Sequence, residues 1–223
     1  MNIIETNTAE EFVRTAVQWI GSAIHVATNN GRHPIVGLSG GSTPQPIYAL
    51  LASDTSIPWE HVTFFLLDER QVPADHKDSN QRMIRSTLLT RAAASATLLA
   101  PQTSLPIASC VQAYDATISD LGDADLMILG MGPDGHIASL FPPLEPEGFG
   151  PRHVIHTMTN NFAVRDRISV TLPVLEKAKK CVFLITGAEK KALLEKMKDG
   201  NQDASLFPAS ALLDERTTWI VGP

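Results

Sequence analysis

The sequence is poor in cysteine and has no long apolar run, and both shortages exclude classes of protein. Its 223 residues hold two cysteines, Cys110 and Cys181, which are too far apart for a Cys-x-x-Cys pair. The longest apolar stretches, such as residues 62–67, fall far short of the roughly 20 residues that span a bilayer. The amino terminus lacks the basic start and apolar run of a signal peptide. We therefore expect a cytoplasmic protein without a membrane segment.

Positive charge is also scarce. The net charge is −6, and no stretch is rich in lysine and arginine, which argues against nucleic acid as a partner. Among the seven histidines only His153 and His156 are close in sequence. On a strand, residues three apart lie on opposite faces, so we expect no metal site there. An anionic ligand would need cations brought together locally.

Helical and apolar strand patterns alternate along the chain, without repeats. The sequence predicts helices over 9–28, from 44 onward, and over 80–89, 111–121 and 189–198, and strands over 34–38, 62–67, 126–129, 168–172, 181–186 and 219–221. This order predicts an α/β fold, a mostly parallel sheet with helices on both faces, Rossmann-like in a modified form. We expect one domain over residues 1–223.

The most informative segment is a buried-looking strand followed by residues 130–142, GMGPDGHIASLFP. It presents Asp134 and His136 where ligands of α/β sheets bind, beyond the carboxyl end of a strand. The spacing of Gly130, Gly132 and Gly135 matches the dinucleotide fingerprint. We reject that interpretation because Pro133 removes one N–H group, Asp134 would face the phosphates, and a Pro/Gly-rich loop follows.

A second segment, residues 35–46, reads as a strand, a glycine-rich turn and a helix start. Gly40 and Gly41 would let the backbone approach a phosphate, with hydroxyl donors from Ser42 and from Thr43, which is also the predicted N-cap before Pro44. The P-loop lysine is absent.

The same segment also contains the nucleophile-elbow pattern of serine hydrolases, centred on Ser39. Asp68 and His136 would follow in the order of such a triad. Only about one strand precedes Ser39, fewer than that fold normally has.

Charged residues end the strand at 62–67. Asp68 would bind sugar hydroxyls or hold Arg70, whose planar fork suits a phosphate. Glu69 is as well explained by a solvated turn, and Ser79 and Asn80 by a helix cap as by a ligand contact.

Further along the chain, Arg167 and Lys190 could converge with the Gly40 turn into a phosphate clamp. Either Lys190 or its neighbour Lys191 could equally be a solvated helix residue.

Taken in order, these motifs resemble the 6-phosphogluconolactonase family, within the superfamily that includes glucosamine-6-phosphate deaminases. The resemblance rests on residues 39–44, 68–73, 79–80, 130–142, 167–175 and 187–190. It implies hydrolysis of 6-phospho-D-glucono-1,5-lactone without a cofactor or a required metal. The partner is then a small phosphosugar lactone, and we expect a monomer or small homo-oligomer.

The resemblance also implies roles for the candidate residues. His136 would be the general base that activates water, and Asp134 would orient it or contact the sugar. The predicted substrate-binding residues are Gly40, Gly41, Ser42, Thr43, Asp68, Arg70, Asn80, Arg167 and Lys190.

Two alternatives remain besides the Ser39 hydrolase. A deaminase-like isomerase is disfavoured because Phe141 stands where deaminases carry a glutamate that belongs to their ring-opening and proton-transfer machinery. A non-catalytic sugar-phosphate sensor would bind the ligand without needing His136, although we recognise no DNA-binding module in the chain.

Overall fold

The computed structural model describes residues 1–200 and 202–223 and contains two sheets. The strands are β1 (Asn2–Glu5), β2 (Ile35–Leu38), β3 (Thr63–Leu66), β4 (Asp68–Arg70), β5 (Thr97–Leu99), β6 (Leu126–Leu129), β7 (Val154–Met158), β8 (Asp166–Val170), β9 (Cys181–Thr186) and β10 (Thr217–Gly222). The helices are α1 (Ala9–Thr28), α2 (Gln45–Leu51), α3 (Asn80–Thr87), α4 (Ile107–Leu121), α5 (Leu172–Glu176) and α6 (Ala188–Lys198).

Seven strands form the main sheet in the order β1-β10-β9-β6-β2-β3-β5, and every pair in it is parallel. Side chains that alternate along the strands feed two hydrophobic cores. Phe64 and Leu66 pack with α1, α2 and α3 on one face, whereas Phe65 and Met127 pack with α4, α5 and α6 on the other. The predicted α/β fold, with a parallel sheet between two helical layers, is confirmed.

The strand order reverses between β2 and β6. From β2 the chain proceeds outward through β3 to β5, and from β6 it proceeds in the other direction to β9 and β10. The loops that leave β2 and β6 therefore part from each other at a topological switch point, where open α/β sheets form a crevice. Residues 39–44 and 130–141 are those loops.

A second sheet was not predicted. Strands β4, β8 and β7 form a three-stranded antiparallel sheet in that order. Asp68 and Arg70 do not simply end the strand predicted at 62–67 but belong to β4, whose three residues are too few to give an alternating pattern. Elements β1, β5, β7 and α5 were not predicted either, because each has only three to five residues, which carry little periodic signal.

Some predicted boundaries are wrong. Helix α2 begins at Gln45, with Pro44 at the N-cap position and no side-chain cap, so Thr43 is not the N-cap. Strand β8 ends at Val170 because Leu172 and Pro173 begin α5, where proline fits the first turn. Helix α4 starts at Ile107, four residues before the predicted start.

Within the described residues, no helix is long and apolar enough to cross a membrane.

Candidate active site

The crevice at the switch point is a cleft of about 280 Å³. Ten of the eleven predicted site residues line it: Gly40, Gly41, Ser42, Thr43, Asp68, Arg70, Asn80, His136, Arg167 and Lys190. The eleventh, Asp134, is hydrogen-bonded to the His136 side chain. Segments far apart in sequence therefore meet at one place, at the carboxyl ends of the parallel strands.

The Asp134–His136 pair forms one end of the cleft. Asp134 Oδ1 lies 2.6 Å from His136 Nδ1 and also accepts the His136 backbone N–H at 3.2 Å. Burial raises the pKa of Asp134, but the hydrogen bonds and charge of His136 outweigh it, so the pKa lies below its usual value. In the described chain, Nε2 of His136 makes no hydrogen bond within the protein, so it can serve a ligand or water.

A glycine makes this pairing possible. A Cβ atom on Gly132 would lie 2.1 Å from Nδ1 of His136 and 2.7 Å from Oδ1 of Asp134. The Gly132 N–H donates to the His136 carbonyl at 2.9 Å, which closes the turn. The glycine at 132 thus makes room for a side-chain pair. No helix follows this turn directly, so the dinucleotide fingerprint lacks its helix N-terminus.

The cation end of the cleft comes from the antiparallel sheet and from α6. Arg70 on β4 lies directly opposite Arg167 on β8, so their side chains are cross-strand neighbours. Burial lowers the pKa of Arg167, and the charge of Arg70 lowers it further. Burial also lowers the pKa of Lys190, on the first turn of α6. Among the described residues, none of the three forms an ion pair.

The two arginines are held by backbone carbonyls, which leaves other donors free. Arg70 Nη1 donates to the Asp78 carbonyl at 2.7 Å, and Arg167 Nε donates to the Val164 carbonyl at 3.0 Å. Arg70 Nε is buried and has no partner in the part of the chain that the structure describes. Like charges held side by side in this way favour an anionic ligand that can accept from both.

Asp68 occupies the floor between these ends. Its Oδ2 accepts from Ser139 Oγ at 2.6 Å, and its Oδ1 accepts from Asn80 Nδ2 at 3.2 Å. It makes no ion pair with Arg70 within the described residues, so the suggestion that Asp68 holds Arg70 is wrong. A Cβ on Gly40 would lie 1.9 Å from Asn80 Oδ1, so Gly40 admits Asn80 to the floor.

Glu69 is not in a solvated turn, because only 1% of it is exposed. Its carboxylate accepts from the N–H groups of Arg70, Asn80 and Gln81 at 2.7–2.8 Å and from Ser79 Oγ at 3.0 Å. Burial raises its pKa, and these N–H groups offset part of that rise. Glu69 thereby ties β4 to the start of α3, where Ser79 is the N-cap.

The glycine-rich turn after β2 supplies further donors. The backbone N–H groups of Gly40, Gly41 and Ser42 donate to no protein acceptor in the described chain. Ser39 Oγ is buried and likewise has no partner there. Without a bond from Ser39 to His136, or from His136 to Asp68, the triad of a serine hydrolase is not assembled, and α2 begins only at Gln45.

Ser139, Phe141 and Phe162 line the cleft but were not among the predicted site residues. Ser139 and Phe141 lie in the recognised segment 130–142, so their position there was an available signal, whereas Phe162 lies in a polar hairpin that gave none. The Phe141 ring lies 4.8 Å from the His136 ring, centroid to centroid.

Known proteins resemble this chain over most of its length. Residues 7–221 match the family described as glucosamine-6-phosphate isomerases/6-phosphogluconolactonase. The chain belongs to this family. A probable 6-phosphogluconolactonase from Dictyostelium discoideum is 35% identical over 95% of this chain and 93% of its own length. The 6-phosphogluconolactonase from Thermotoga maritima is 40% identical over 84% of this chain and 83% of its own length.

The fold is also that of solved family structures. The crystal structure of a 6-phosphogluconolactonase from Shewanella baltica has a TM-score of 0.90 and covers 100% of this chain and 97% of its own chain. At 24% identity this likeness supports the fold alone. The family predicted from the ordered motifs is confirmed.

Proposed function

We propose that this protein hydrolyses 6-phospho-D-glucono-1,5-lactone to 6-phospho-D-gluconate, with His136 as the general base that activates water. The observation that carries the proposal is the arrangement of one cleft, in which three cations that form no ion pair with other described residues lie at one end and a carboxylate-supported imidazole lies at the other. The relatives from Dictyostelium and Thermotoga, named as lactonases, support the same reaction.

The cation end suits the phosphate of the substrate. A phosphomonoester carries nearly two negative charges and offers several acceptor oxygens, which matches the forks of Arg70 and Arg167 and the ammonium of Lys190. Bound there, the phosphate fixes one end of the substrate and leaves its ring to extend toward His136. Positioning of this kind supplies much of the rate enhancement for an already electrophilic lactone carbonyl.

The imidazole end suits the chemical step. Nε2 of His136 removes a proton from water as the water oxygen bonds to the lactone carbon, and the carbonyl becomes an oxyanion. The oxyanion then re-forms the carbonyl as the bond to the ring oxygen breaks, and His136 returns the proton to that oxygen. Asp134 accepts from Nδ1 and stabilises the imidazolium that exists between the two transfers. The free N–H groups of residues 40–42 add donors for the phosphate at the other end of the substrate.

The isomerase alternative has less support in this cleft. Position 141, where deaminases carry a glutamate, places a phenyl ring beside His136. A phenyl ring cannot transfer protons, so amino-sugar isomerisation would lack that group.

The test is to generate the lactone from glucose 6-phosphate with a dehydrogenase and to follow its disappearance at slightly acidic pH. We expect the native protein to exceed the protein-free rate and His136→Ala to lose at least about 100-fold in turnover. His156→Ala is the matched control, because His156 also pairs with an aspartate, Asp166 at 2.9 Å, but lies outside the cleft.

Other outcomes separate the alternatives. A native protein that matches the blank would overturn the hydrolase proposal and favour the sugar-phosphate sensor. Full activity in His136→Ala would overturn the assignment of the base. Abolished activity in Ser39→Ala, a change that leaves His136 intact, would favour the serine hydrolase.

A further inference from the structure

Phe162 is an exposed aromatic residue at the mouth of the cleft. It lies in the turn between β7 and β8, and 45% of it is exposed. Its ring centroid lies 6.0 Å from that of His136, edge-on at 80°, and 6.2 Å from that of Phe141. On its other side, Cζ of Arg167 lies 5.4 Å from the ring centroid. Phe162 therefore spans the distance between the imidazole end and the cation end.

The turn that carries Phe162 is attached to the cleft. The Thr159 N–H donates to the Arg165 carbonyl at 3.1 Å, which closes the turn. Arg167 Nε donates to the Val164 carbonyl at 3.0 Å. The placement of Phe162 thus depends on Arg167, a residue of the cation end, and the ring is held over the opening.

A phenyl group gains free energy when it is covered, so a ligand that contacts Phe162 would gain affinity from it. Phe162 belongs to neither of the two hydrophobic cores formed by the described residues. It does line the cleft, so a molecule bound between Arg167 and His136 would cover it. The ring of a sugar lactone presents C–H groups on its faces, and such a surface packs well against an aromatic ring.

We propose that Phe162 is a positioning and specificity residue that contacts the sugar ring of the bound lactone and selects ring-bearing phosphates over simple phosphates. The proposal rests on the proposed function and adds the residue that recognises the ring. Arg70, Arg167 and Lys190 hold the phosphate, whereas Phe162 limits how the ring can tilt between them and His136. The carbonyl carbon is thereby kept within reach of the water on Nε2.

The test compares the lactone with inorganic phosphate in Phe162→Ala. We expect the KM for the lactone to rise about 10-fold, while the inhibition constant of inorganic phosphate changes by less than about two-fold. Phe162→Tyr keeps an aromatic face and should restore a nearly native KM. Phe149→Ala is the matched control, because Phe149 is 44% exposed but does not line the cleft.

Each other result contradicts the proposal. Equal weakening of lactone and phosphate would show that Phe162 acts only through Arg167. An unchanged KM in Phe162→Ala, with a fully active native protein, would overturn the ring contact and leave the proposed function standing. No turnover by the native protein would overturn the proposed function, and this inference with it.

Discussion

The two ends of the cleft are built in opposite ways. The imidazole end comes from one turn, in which Asp134 and His136 are two residues apart and bonded to each other. The cation end draws Arg70, Arg167 and Lys190 from three elements that are distant in sequence. The first arrangement is local and depends on one turn, whereas the second exists only once both sheets have formed.

The two ends also differ in how far their charged and polar groups find partners within the protein. At the imidazole end the carboxylate supports the ring through hydrogen bonds. At the cation end the described residues form no ion pair with the arginines, although Asp68, Glu69 and Asp78 attract Arg167 from a greater distance, and Arg70 Nε is buried without a partner among them. Like charges on cross-strand neighbours destabilise a sheet. The ligand-free protein thus gives up stability at one end for affinity toward an anion, and the two ends should fail independently when they are altered.

The largest expected effect breaks the imidazole end alone. In Gly132→Ala the new Cβ would overlap Nδ1 of His136, so the ring must move away from Asp134. We expect kcat/KM for the lactone to fall at least about 100-fold. The inhibition constant of inorganic phosphate should stay within about two-fold, because Arg70 and Arg167 are untouched. Equal losses of turnover and phosphate binding would contradict the independence of the two ends.

The next effect breaks the cation end alone. Arg167→Met keeps much of the aliphatic stem but removes the guanidinium, and we expect kcat/KM to fall about 30-fold, mainly through KM. Inorganic phosphate should raise the melting temperature of the native protein and raise that of Arg167→Met much less. Without phosphate, the melting temperature of the variant should stay close to that of the native protein, because the repulsion from Arg70 is lost together with the attraction to Asp68, Glu69 and Asp78 and the bond to the Val164 carbonyl.

The control for this change is Arg165→Met. Arg165 is an exposed residue two positions away that does not line the cleft. It should respond to phosphate as the native protein does. If Arg165→Met loses the response as well, the effect reflects net charge and not a specific site.

The contrast between an end formed by one turn and an end assembled from distant elements also explains which features the sequence could predict. The long α1 and the strands near β2, β6 and β9 carry clear patterns, and they determine the main sheet and its switch point. His136 could be placed because its position depends only on the end of β6 and the glycines around it. The contact between Asp134 and His136 could not be predicted from the sequence, because a tight turn can direct two such side chains toward each other or apart.

The residues of the cation end were predicted, but the antiparallel sheet that brings two of them together was not. The pairing of Arg70 with Arg167 arises in a sheet whose strands have three to five residues, too few for a periodic signal. For the same reason Glu69 was taken as solvated, although it is a buried acceptor of four hydrogen bonds. No sequence pattern indicated that Phe162 belongs to the site, because its position there depends on a turn that reaches across the cleft.

The smallest of the expected effects on activity sharpens the comparison at the imidazole end. Asp134→Asn keeps an oxygen that can accept from Nδ1, but it removes the charge that stabilises the imidazolium. We expect kcat to fall about 10-fold with phosphate binding unchanged. Asp166→Asn is the control, because it alters the other His–Asp pair, on the surface.

The same variant tests the pKa of Asp134. Because the folded protein holds this pKa below its usual value, ionised Asp134 stabilises the fold at neutral pH. That contribution is complete above the unfolded-state pKa of about 3.9 and is lost as the pH falls through the lower folded-state pKa. The difference in unfolding free energy between native protein and Asp134→Asn should therefore shrink on acidification. A difference that is independent of pH, with full activity retained, would mean that the carboxylate charge supports neither the fold nor the imidazole, and the contrast between a satisfied end and an unsatisfied one would fail.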